Sequence, residues 1–152
     1  MSFNTANGTR GARQPKAGWL TSLFNNWSMR RMRSKGGKVM GMDALVLTTV
    51  GRKSGEERST PVAWFPGGGG TWLIVASAAG APKNPAWYYN IAAHPDQVQV
   101  ELDGRKVAVT AEQLNGAERD AAWKQIASAL PRFTKYEEQT DREIPVIRLT
   151  PR

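Results

Sequence analysis

Three cationic side chains lie close together in one short segment of the sequence. Arg52, Lys53 and Arg58 fall in or next to a turn that is framed by two glycines and separates two apolar, β-branched runs. We call residues 51–58 the basic turn. Cations, hydroxyl groups and the backbone N–H groups that a glycine-rich turn leaves accessible are groups that bind phosphate. The basic turn therefore predicts a phosphate-binding site, and a solvated basic hairpin is the alternative.

A second segment combines small residues with the start of a helix. Residues 76–81 are all Ala, Ser or Gly, and Asn84 and Pro85 follow shortly after them. Small side chains allow a flat ring to approach the backbone, and the N-terminus of a helix attracts an anion. We predict that Asn84 caps this helix and that Pro85 is its first residue. The alternative is a plain connection from strand to helix, with Trp87 in the core.

Most other catalytic chemistries lack their residues in this sequence. There is no cysteine, and the one histidine, His94, precedes a proline at a predicted helix end. A catalytic triad would need His94 as its base, and neither a G-x-S-x-G motif nor the glycine spacing of a Walker A loop is present. One histidine without cysteine does not make a zinc site, so we predict no bound metal. We expect a cofactor to supply the reactivity.

The elements around these segments are predicted from periodicity and turn residues. Apolar residues spaced along 19–33 indicate a helix. Runs at 44–50, 57–65 and 71–77, separated by tight turns, indicate three strands of an antiparallel meander. A helix is then predicted over 84–94 and ends before a proline.

The second half of the chain continues the alternation of strands and helices. Residues 97–102 and 106–113 flank Asp103-Gly104, a strong signal for a hairpin. Asn115 is placed to cap the next helix, and residues 144–149 read as the last strand. About six strands, several of them in hairpins, with three or four helices argue against a Rossmann fold. They predict an α+β protein with a mostly antiparallel, closed or partly closed barrel and helices outside it.

The positive charge of the chain is concentrated near its N-terminus. Residues 1–43 carry eight Lys or Arg and one acidic residue, a net charge of +7, whereas residues 44–152 have a net charge of +1. We predict a flexible basic arm over 1–17 and a single domain over 18–152. No apolar run approaches the roughly 18 residues of a membrane span, and no secretory signal is recognised. We expect a cytoplasmic protein, with association to a membrane as an alternative.

Two long motifs in this sequence resemble those of the deazaflavin-dependent nitroreductases, within the flavin/deazaflavin split β-barrel superfamily. The first covers 47–55 with Arg58 and Pro61, and the second covers much of 76–88. Residues 136–146 match in part, and the resemblance extends from about residue 18 to about residue 151. It implies an FMN-binding-like split β-barrel that binds coenzyme F-420, an 8-hydroxy-5-deazaflavin with a phosphate and an oligoglutamate tail.

The resemblance implies that three segments contact the cofactor. The basic turn holds the phosphate, residues 61–63 and 76–80 flank the ring, and residues 83–85 contact the cofactor or fix the intervening loop. The lysine that is usual in the family is replaced by Ala78. The implied cofactor-binding residues are Arg52, Lys53, Ser54, Arg58, Pro61, Val62, Ala63, Ala76, Ser77, Ala78, Ala79, Gly80, Lys83, Asn84, Pro85 and Trp87.

The implied reaction is hydride transfer from the C5 carbon of the reduced ring to a small organic acceptor stacked on it. Ser77 and Tyr136 are the implied catalytic residues, as proton donors or orienting groups. The implied acceptor pocket consists of Trp27, Leu130, Phe133 and Tyr136. Because Leu130 and Phe133 replace two tyrosines of the nitroimidazole-reducing member, we expect a quinone or an activated alkene in preference to a nitro compound.

Other functions agree with the same fold and charge. An F-420 carrier would bind the cofactor without passing its hydride on, and FMN is the less favoured cofactor because the basic N-terminal region suits the oligoglutamate tail. Nucleic acid is not expected as a partner, since no helix-turn-helix or aromatic signature accompanies the basic residues. Residues 19–33 suit either peripheral membrane contact or a helix that covers the barrel. We expect a monomer or a homodimer.

Overall fold

The computed structural model describes residues 37–39, 42–77, 80 and 83–152, and in the N-terminal region Phe3, Thr5, Ala6, Gly8, Thr9 and Gly11. In this part of the chain the strands are β1 (Gly37–Val39), β2 (Met42–Val50), β3 (Glu57–Pro66), β4 (Trp72–Val75), β5 (Val98–Leu102), β6 (Arg105–Gln113) and β7 (Val146–Pro151). The helices are α1 (Ala86–Ala93), α2 (Gly116–Ala129) and α3 (Arg132–Gln139).

The described strands form one antiparallel sheet that closes on itself. The strand order is β1-β2-β3-β4-β7-β6-β5, and β5 also pairs with β2. This last pairing joins Val46 to Glu101 and Thr48 to Gln99, on the edge of β2 that faces away from β3. β2, β3, β4, β7, β6 and β5 therefore enclose a barrel, and β1 extends it beside the start of β2. A six-stranded antiparallel barrel with three described helices confirms the predicted α+β split β-barrel.

Local sequence explains the hairpins. β2, β3 and β4 pair in chain order, which confirms the predicted meander. At the β5–β6 turn, Asp103 and Gly104 have φ values of 49° and 75°, as a two-residue turn between twisted antiparallel strands requires. Burial alternates along β5, as expected for a strand with one face in the core.

Two hydrophobic clusters hold the elements together. The first fills the barrel, and its fully buried members include Leu47 of β2, Ile74 of β4 and Ile147 of β7. The second lies where Val146 of β7 and Phe133 of α3 pack with residues of α2. Burial of aliphatic side chains at about 25 cal/mol per Å² is the main source of stability in such clusters.

Segment 71–77 forms a shorter strand than predicted. β4 ends at Val75, which pairs with Val146 at the start of β7. The next two carbonyl oxygens, of Ala76 and Ser77, accept hydrogen bonds from the guanidinium of Arg142. The Ala76 amide still donates to the carbonyl oxygen of Pro145, next to β7, so the arginine side chain replaces a neighbouring strand for these two carbonyl groups only.

Neither of the two asparagines predicted to cap a helix does so with its side chain. Pro85 occupies the N-cap position of α1, which has no side-chain cap, and the helix begins at Ala86. Asn84 does not cap because its side chain is hydrogen bonded to Arg142 and to the backbone of Thr5. Asn115 is at the N-cap position of α2 but donates from Nδ2 to the carbonyl oxygen of Gln113 over 3.2 Å instead of capping.

Some residues of the segment predicted as a flexible arm contact the barrel domain. The ring of Phe3 packs edge-on against Tyr88, with centroids 5.9 Å apart, and Thr9 is hydrogen bonded to Asp141. These contacts concern single described positions, and the flexible arm over 1–17 stays a prediction. Within 1–17 the described residues are 3, 5, 6, 8, 9 and 11. The others, and the predicted helix over 19–33, lie outside the described residues. The boundary at residue 18 stays a prediction.

Replacing Ile74 with Ala should lower the free energy of unfolding by about 2–5 kcal/mol, because the barrel loses apolar contacts and gains a cavity. The exposed Gln125 of α2 provides a control, and Gln125→Ala should change this free energy by less than about 0.5 kcal/mol. Urea denaturation followed by tryptophan fluorescence measures both. A loss below about 1 kcal/mol for Ile74→Ala would contradict its place at the centre of the core.

Candidate functional site

The basic turn and the first part of α1 border a common groove of about 720 Å³. The turn connects β2 to β3, and α1 reaches it because the helix packs against β2. Two motifs that are well separated in the sequence therefore meet at one site. Of the predicted cofactor-binding residues, the groove is lined by Arg52, Lys53, Ser54, Arg58, Pro85 and Trp87.

The backbone of the basic turn is held by hydrogen bonds within the protein. The amide of Gly51 donates to the carbonyl oxygen of Glu56 over 2.7 Å, and the amide of Gly55 donates to that of Gly51 over 2.9 Å. The amide of Glu56 donates to Ser54 Oγ over 3.2 Å. Gly55 has a φ of 72°, which glycine adopts without strain. These three amides serve the turn itself and hold it in shape around the cationic side chains.

Asn90 of α1 fastens the helix to the basic turn, and the sequence interpretation missed it. Its Oδ1 accepts a hydrogen bond of 3.1 Å from the backbone amide of Arg52, and its Nδ2 donates to Thr49 Oγ1 over 3.3 Å. Asn90 lies one helical turn after Ala86, and both line the groove. That spacing is visible in the sequence, but it becomes informative only when α1 is known to lie beside the basic turn.

Positive charge dominates the described lining of the groove. Arg52, Lys53 and Arg58 are exposed, and no acidic side chain is among the described lining residues. Arg58 lies 3.6 Å from a carboxylate oxygen of Glu56, but these side chains are 63% and 72% exposed, and such surface pairs are weak. The guanidinium of Arg52 stacks on Tyr89, 4.7 Å from the ring centroid, which restrains its position. The groove is built to attract an anion.

A buried guanidinium supports the side of the groove that α1 forms. Arg142 is 4% exposed and donates to the carbonyl oxygens of Ala76 and Ser77 over 3.0 and 2.8 Å. It also donates to Asn84 Oδ1, close to the start of α1. Desolvation by burial lowers the pKa of Arg142 from its ordinary value, and two neighbouring tyrosines act in the opposite direction. An arginine keeps its charge at neutral pH despite such a shift.

Several residues predicted to contact the cofactor lie away from this groove. Pro61, Val62 and Ala63 are half-buried in β3 opposite β2, and Lys83 is exposed. Ala78 and Ala79 lie outside the described residues. The ring-binding role of these segments stays a prediction. The predicted residues that do not line the groove, among those described, are Pro61, Val62, Ala63, Ala76, Ser77, Gly80, Lys83 and Asn84.

Gly80 packs closely against α3. Its φ is 82°, and a Cβ atom built on it would lie 2.7 Å from Gln139 Oε1 and 3.0 Å from the carbonyl oxygen of Tyr136. Its amide donates to the carbonyl oxygen of Ser77 over 2.9 Å. The structure thereby brings the segment that contains Ser77 next to the helix that contains Tyr136. The catalytic roles of these two side chains stay predictions.

The predicted acceptor pocket is only partly described. Phe133 is 3% exposed and packs edge-on against Phe65 and Tyr136, with centroids 5.7 and 5.5 Å away. It is a core residue in this structure. Leu130 and Tyr136 are half-buried beside it, and Trp27 lies outside the described residues. The pocket as a whole stays a prediction.

The described part of the chain has neither a cluster of metal-ligating side chains nor a membrane-spanning helix. Its residues include no group of three or more His, Asp or Glu placed to hold a metal ion. None of its helices is both long enough and apolar enough to cross a membrane. His94 follows the last residue of α1, and its amide donates to the carbonyl oxygen of Asn90 over 3.0 Å.

Known proteins are similar to this chain in both sequence and fold. A family model described as F-420H2-dependent quinone reductase matches residues 23–151. A curated F-420H2-dependent quinone reductase of Mycobacterium tuberculosis is 36% identical over 112 residues, which cover 72% of this chain and 74% of the relative.

Two solved structures give the corresponding structural comparison. A structure of an F-420-H2-dependent reductase is 37% identical, with a TM-score of 0.62 over 70% of this chain and 92% of that chain. Another, described as a domain-swapped dimer, has the same identity and TM-score over 70% of this chain and 78% of that chain. The chain belongs to the F-420H2-dependent quinone reductase family, so it is an oxidoreductase that uses coenzyme F-420.

The groove fits the anionic part of this cofactor. A phosphodiester needs cations and hydroxyl donors around it, and the groove presents Arg52, Lys53 and Arg58 together with hydroxyl-bearing Ser54 and Ser59. Its described lining contains no carboxylate that would repel an anion.

Substitutions at Asn90 should separate the shape of the turn from its charge. Asn90→Ala removes the acceptor for the Arg52 amide and should lower the free energy of unfolding by about 1 kcal/mol. Asn90→Asp keeps that acceptor, and the Thr49 hydroxyl can donate to the carboxylate instead of accepting from Nδ2, so stability should fall less than in Asn90→Ala. Asn90→Asp places a negative charge in the groove, however, and should weaken F-420 binding about fivefold or more at low salt. Urea denaturation and fluorescence titration measure the two effects, and equal F-420 affinity in Asn90→Asp and wild type would place the anion elsewhere.

Proposed function

We propose that this protein binds coenzyme F-420H2 with its phosphate in the groove between the basic turn and α1, and reduces a quinone with it. The observation that carries the proposal is the placement of Arg52, Lys53 and Arg58 around one groove whose described lining has no acidic side chain. Family membership supplies the cofactor and the class of acceptor.

Each part of the groove has a task in binding. The stacking of Arg52 on Tyr89 and the hydrogen bond from its amide to Asn90 hold one cation in place before any ligand arrives. Lys53 and Arg58 are exposed and add charge from the same side. Restrained cations lose less conformational freedom when they bind, and this increases affinity for an anion.

The chain's own residues orient the reactants and handle the proton. When bound, the reduced deazaflavin supplies a hydride from its C5 carbon. Reduction of a quinone to a quinol by this hydride also takes up one proton. Ser77 and Tyr136, both half-buried, are the proposed groups for orienting the acceptor or donating a proton, and Gly80 brings their segments together. This protein needs no nucleophile for such a reaction, in agreement with its lack of cysteine.

Removing the charge of the basic turn should selectively weaken cofactor binding. The double variant Arg52→Ala, Lys53→Ala should bind F-420 about one hundredfold more weakly, since each lost charge-assisted contact is worth about tenfold. The matched control is Arg105→Ala, Lys106→Ala, which removes two exposed cations from the other hairpin, at the β5–β6 turn.

Fluorescence titration with F-420, and in parallel with FMN, measures these affinities. The control pair should bind F-420 within about twofold of wild type at 0.15 M salt. Equal weakening by both double variants would mean that net charge, and not the basic turn, attracts the cofactor. Tight binding of FMN with weak binding of F-420 would overturn the assignment of cofactor.

A quinone assay separates an enzyme from a carrier. We expect the wild-type protein to oxidise F-420H2 with the quinone menadione as acceptor. The return of the absorbance of oxidised F-420 measures the reaction, and the turnover should be about 1 s⁻¹ or above, as is typical of enzymes. Tyr136→Phe should lower kcat while leaving F-420 affinity within about twofold if the hydroxyl serves proton transfer. Tight cofactor binding without oxidation by any quinone or enone would identify a carrier.

A further inference from the structure

The side chain of Arg142 joins the two ends of the connection between β4 and α1. Two of its contacts are backbone oxygens at the end of β4, on Ala76 and Ser77. Another contact is Asn84 Oδ1, at the other end of the connection. A guanidinium is planar and rigid, so acceptors that share it are held at fixed positions relative to each other. One buried side chain therefore sets the spacing between β4 and the start of α1.

Asn84 transmits this restraint to the groove. It is 5% exposed, and both ends of its side-chain amide have partners: Oδ1 accepts from Arg142, and Nδ2 donates to the carbonyl oxygen of Thr5 over 3.2 Å. The next residue is Pro85, which lines the groove with Ala86. Proline fixes its own φ, so the orientation of Asn84 carries over to the first turn of α1.

We propose that Arg142 is a positioning residue for cofactor binding, which holds the N-terminal end of α1 at the spacing from the basic turn that the anionic cofactor requires. Arg142 does not line the groove and acts through Asn84 and Pro85. The proposal rests on the proposed function, because it takes the groove as the F-420 site.

Arg119 provides a matched control for this role. It is 6% exposed, nearly as buried as Arg142, and likewise donates to a backbone carbonyl, that of Ile144 over 2.8 Å. Its guanidinium also stacks on Trp123 of α2, 4.8 Å from the ring centroid. Arg119 is not among the lining residues of the groove. Loss of either arginine leaves a buried carbonyl oxygen without its donor and lowers stability, but only Arg142 holds the start of α1.

The test compares the full-length variants Arg142→Met, Arg142→Lys and Arg119→Met with wild type. Fluorescence titration gives the affinity for F-420, and urea denaturation gives the stability. Amide hydrogen exchange in the cofactor-free protein reports directly on the connection, through the amides of Ala76, Gly80 and Tyr88, which are hydrogen bonded in the structure. This third readout does not depend on the cofactor.

Arg142→Met should bind F-420 about tenfold more weakly or worse and should exchange the amides of Gly80 and Tyr88 about tenfold faster. Arg142→Lys, which keeps one donor group, should fall between Arg142→Met and wild type in both measurements, and it serves alone if Arg142→Met does not fold. Arg119→Met should lose a comparable part of the stability. Because its partners Glu143 and Ile144 adjoin Arg142 in the chain, F-420 affinity and the exchange of these amides should change by up to about threefold, well below the effect of Arg142→Met.

Arg142 variants that match Arg119→Met in affinity and exchange would overturn the proposal and leave Arg142 a purely structural residue. If wild type fails to bind F-420, the proposed function fails. In that case exchange in the cofactor-free protein still decides: unchanged exchange in Arg142→Met overturns the positioning role, and faster exchange retains it for whichever anion the groove binds.

Discussion

Strand β2 is hydrogen bonded along both of its edges, to β3 on one side and to β1 and β5 on the other. This double pairing closes the barrel, because β5, at the far end of the strand order, also pairs with β2. It also locates the site. β2 ends at the basic turn, and α1 packs against β2. Asn90 can therefore reach both Thr49 of the strand and Arg52 of the turn.

The second constraint is the way in which polar groups are satisfied beyond the end of β4. The amide of Ala76 still donates to the carbonyl oxygen of Pro145, but no strand of the described sheet pairs with the carbonyl groups of Ala76 and Ser77, and unpaired buried carbonyl groups are costly. Arg142 meets this need from more than 60 residues further along the chain. Because Arg142 also donates to Asn84, the side chain that satisfies these carbonyl groups also fixes the position at which α1 begins. Stability and the geometry of the groove thus depend on the same side chain.

Local signals predicted much of the fold. Apolar and β-branched runs bounded by turn residues located β2 and β3, and Asp103-Gly104 identified the hairpin of β5 and β6. The pairing of β2 with β5 could not be read from periodicity, since the two strands are about 50 residues apart and nothing in either strand specifies its neighbour. The strand at 71–77 was predicted too long for a related reason. Its last residues are apolar or small, but their hydrogen-bond partner is an arginine side chain.

The site shows the same division between local and long-range information. The cations of the basic turn and a helix that begins close to Pro85 could be predicted from the sequence, and they do meet in the groove. Asn84 was assigned to the helix as a cap because asparagine is common there, whereas its amide is used in a network with Arg142 and Thr5. Asn90 and Arg142 carry no local signature, and their importance follows from partners that lie 38 to 66 residues away in the chain.

The internal hydrogen bonds of the basic turn have a consequence for how recognition can change. In phosphate loops that bind through backbone amides, the ligand is part of what holds the loop in shape. Here hydrogen bonds among Gly51, Ser54, Gly55 and Glu56 hold the turn, together with the one from Arg52 to Asn90, so the cationic side chains are carried on a backbone that the protein itself holds in shape. Exchange of these side chains alters charge and reach while leaving the backbone intact. One barrel can therefore be adapted to differently charged ligands by a few surface substitutions, without redesign of its fold.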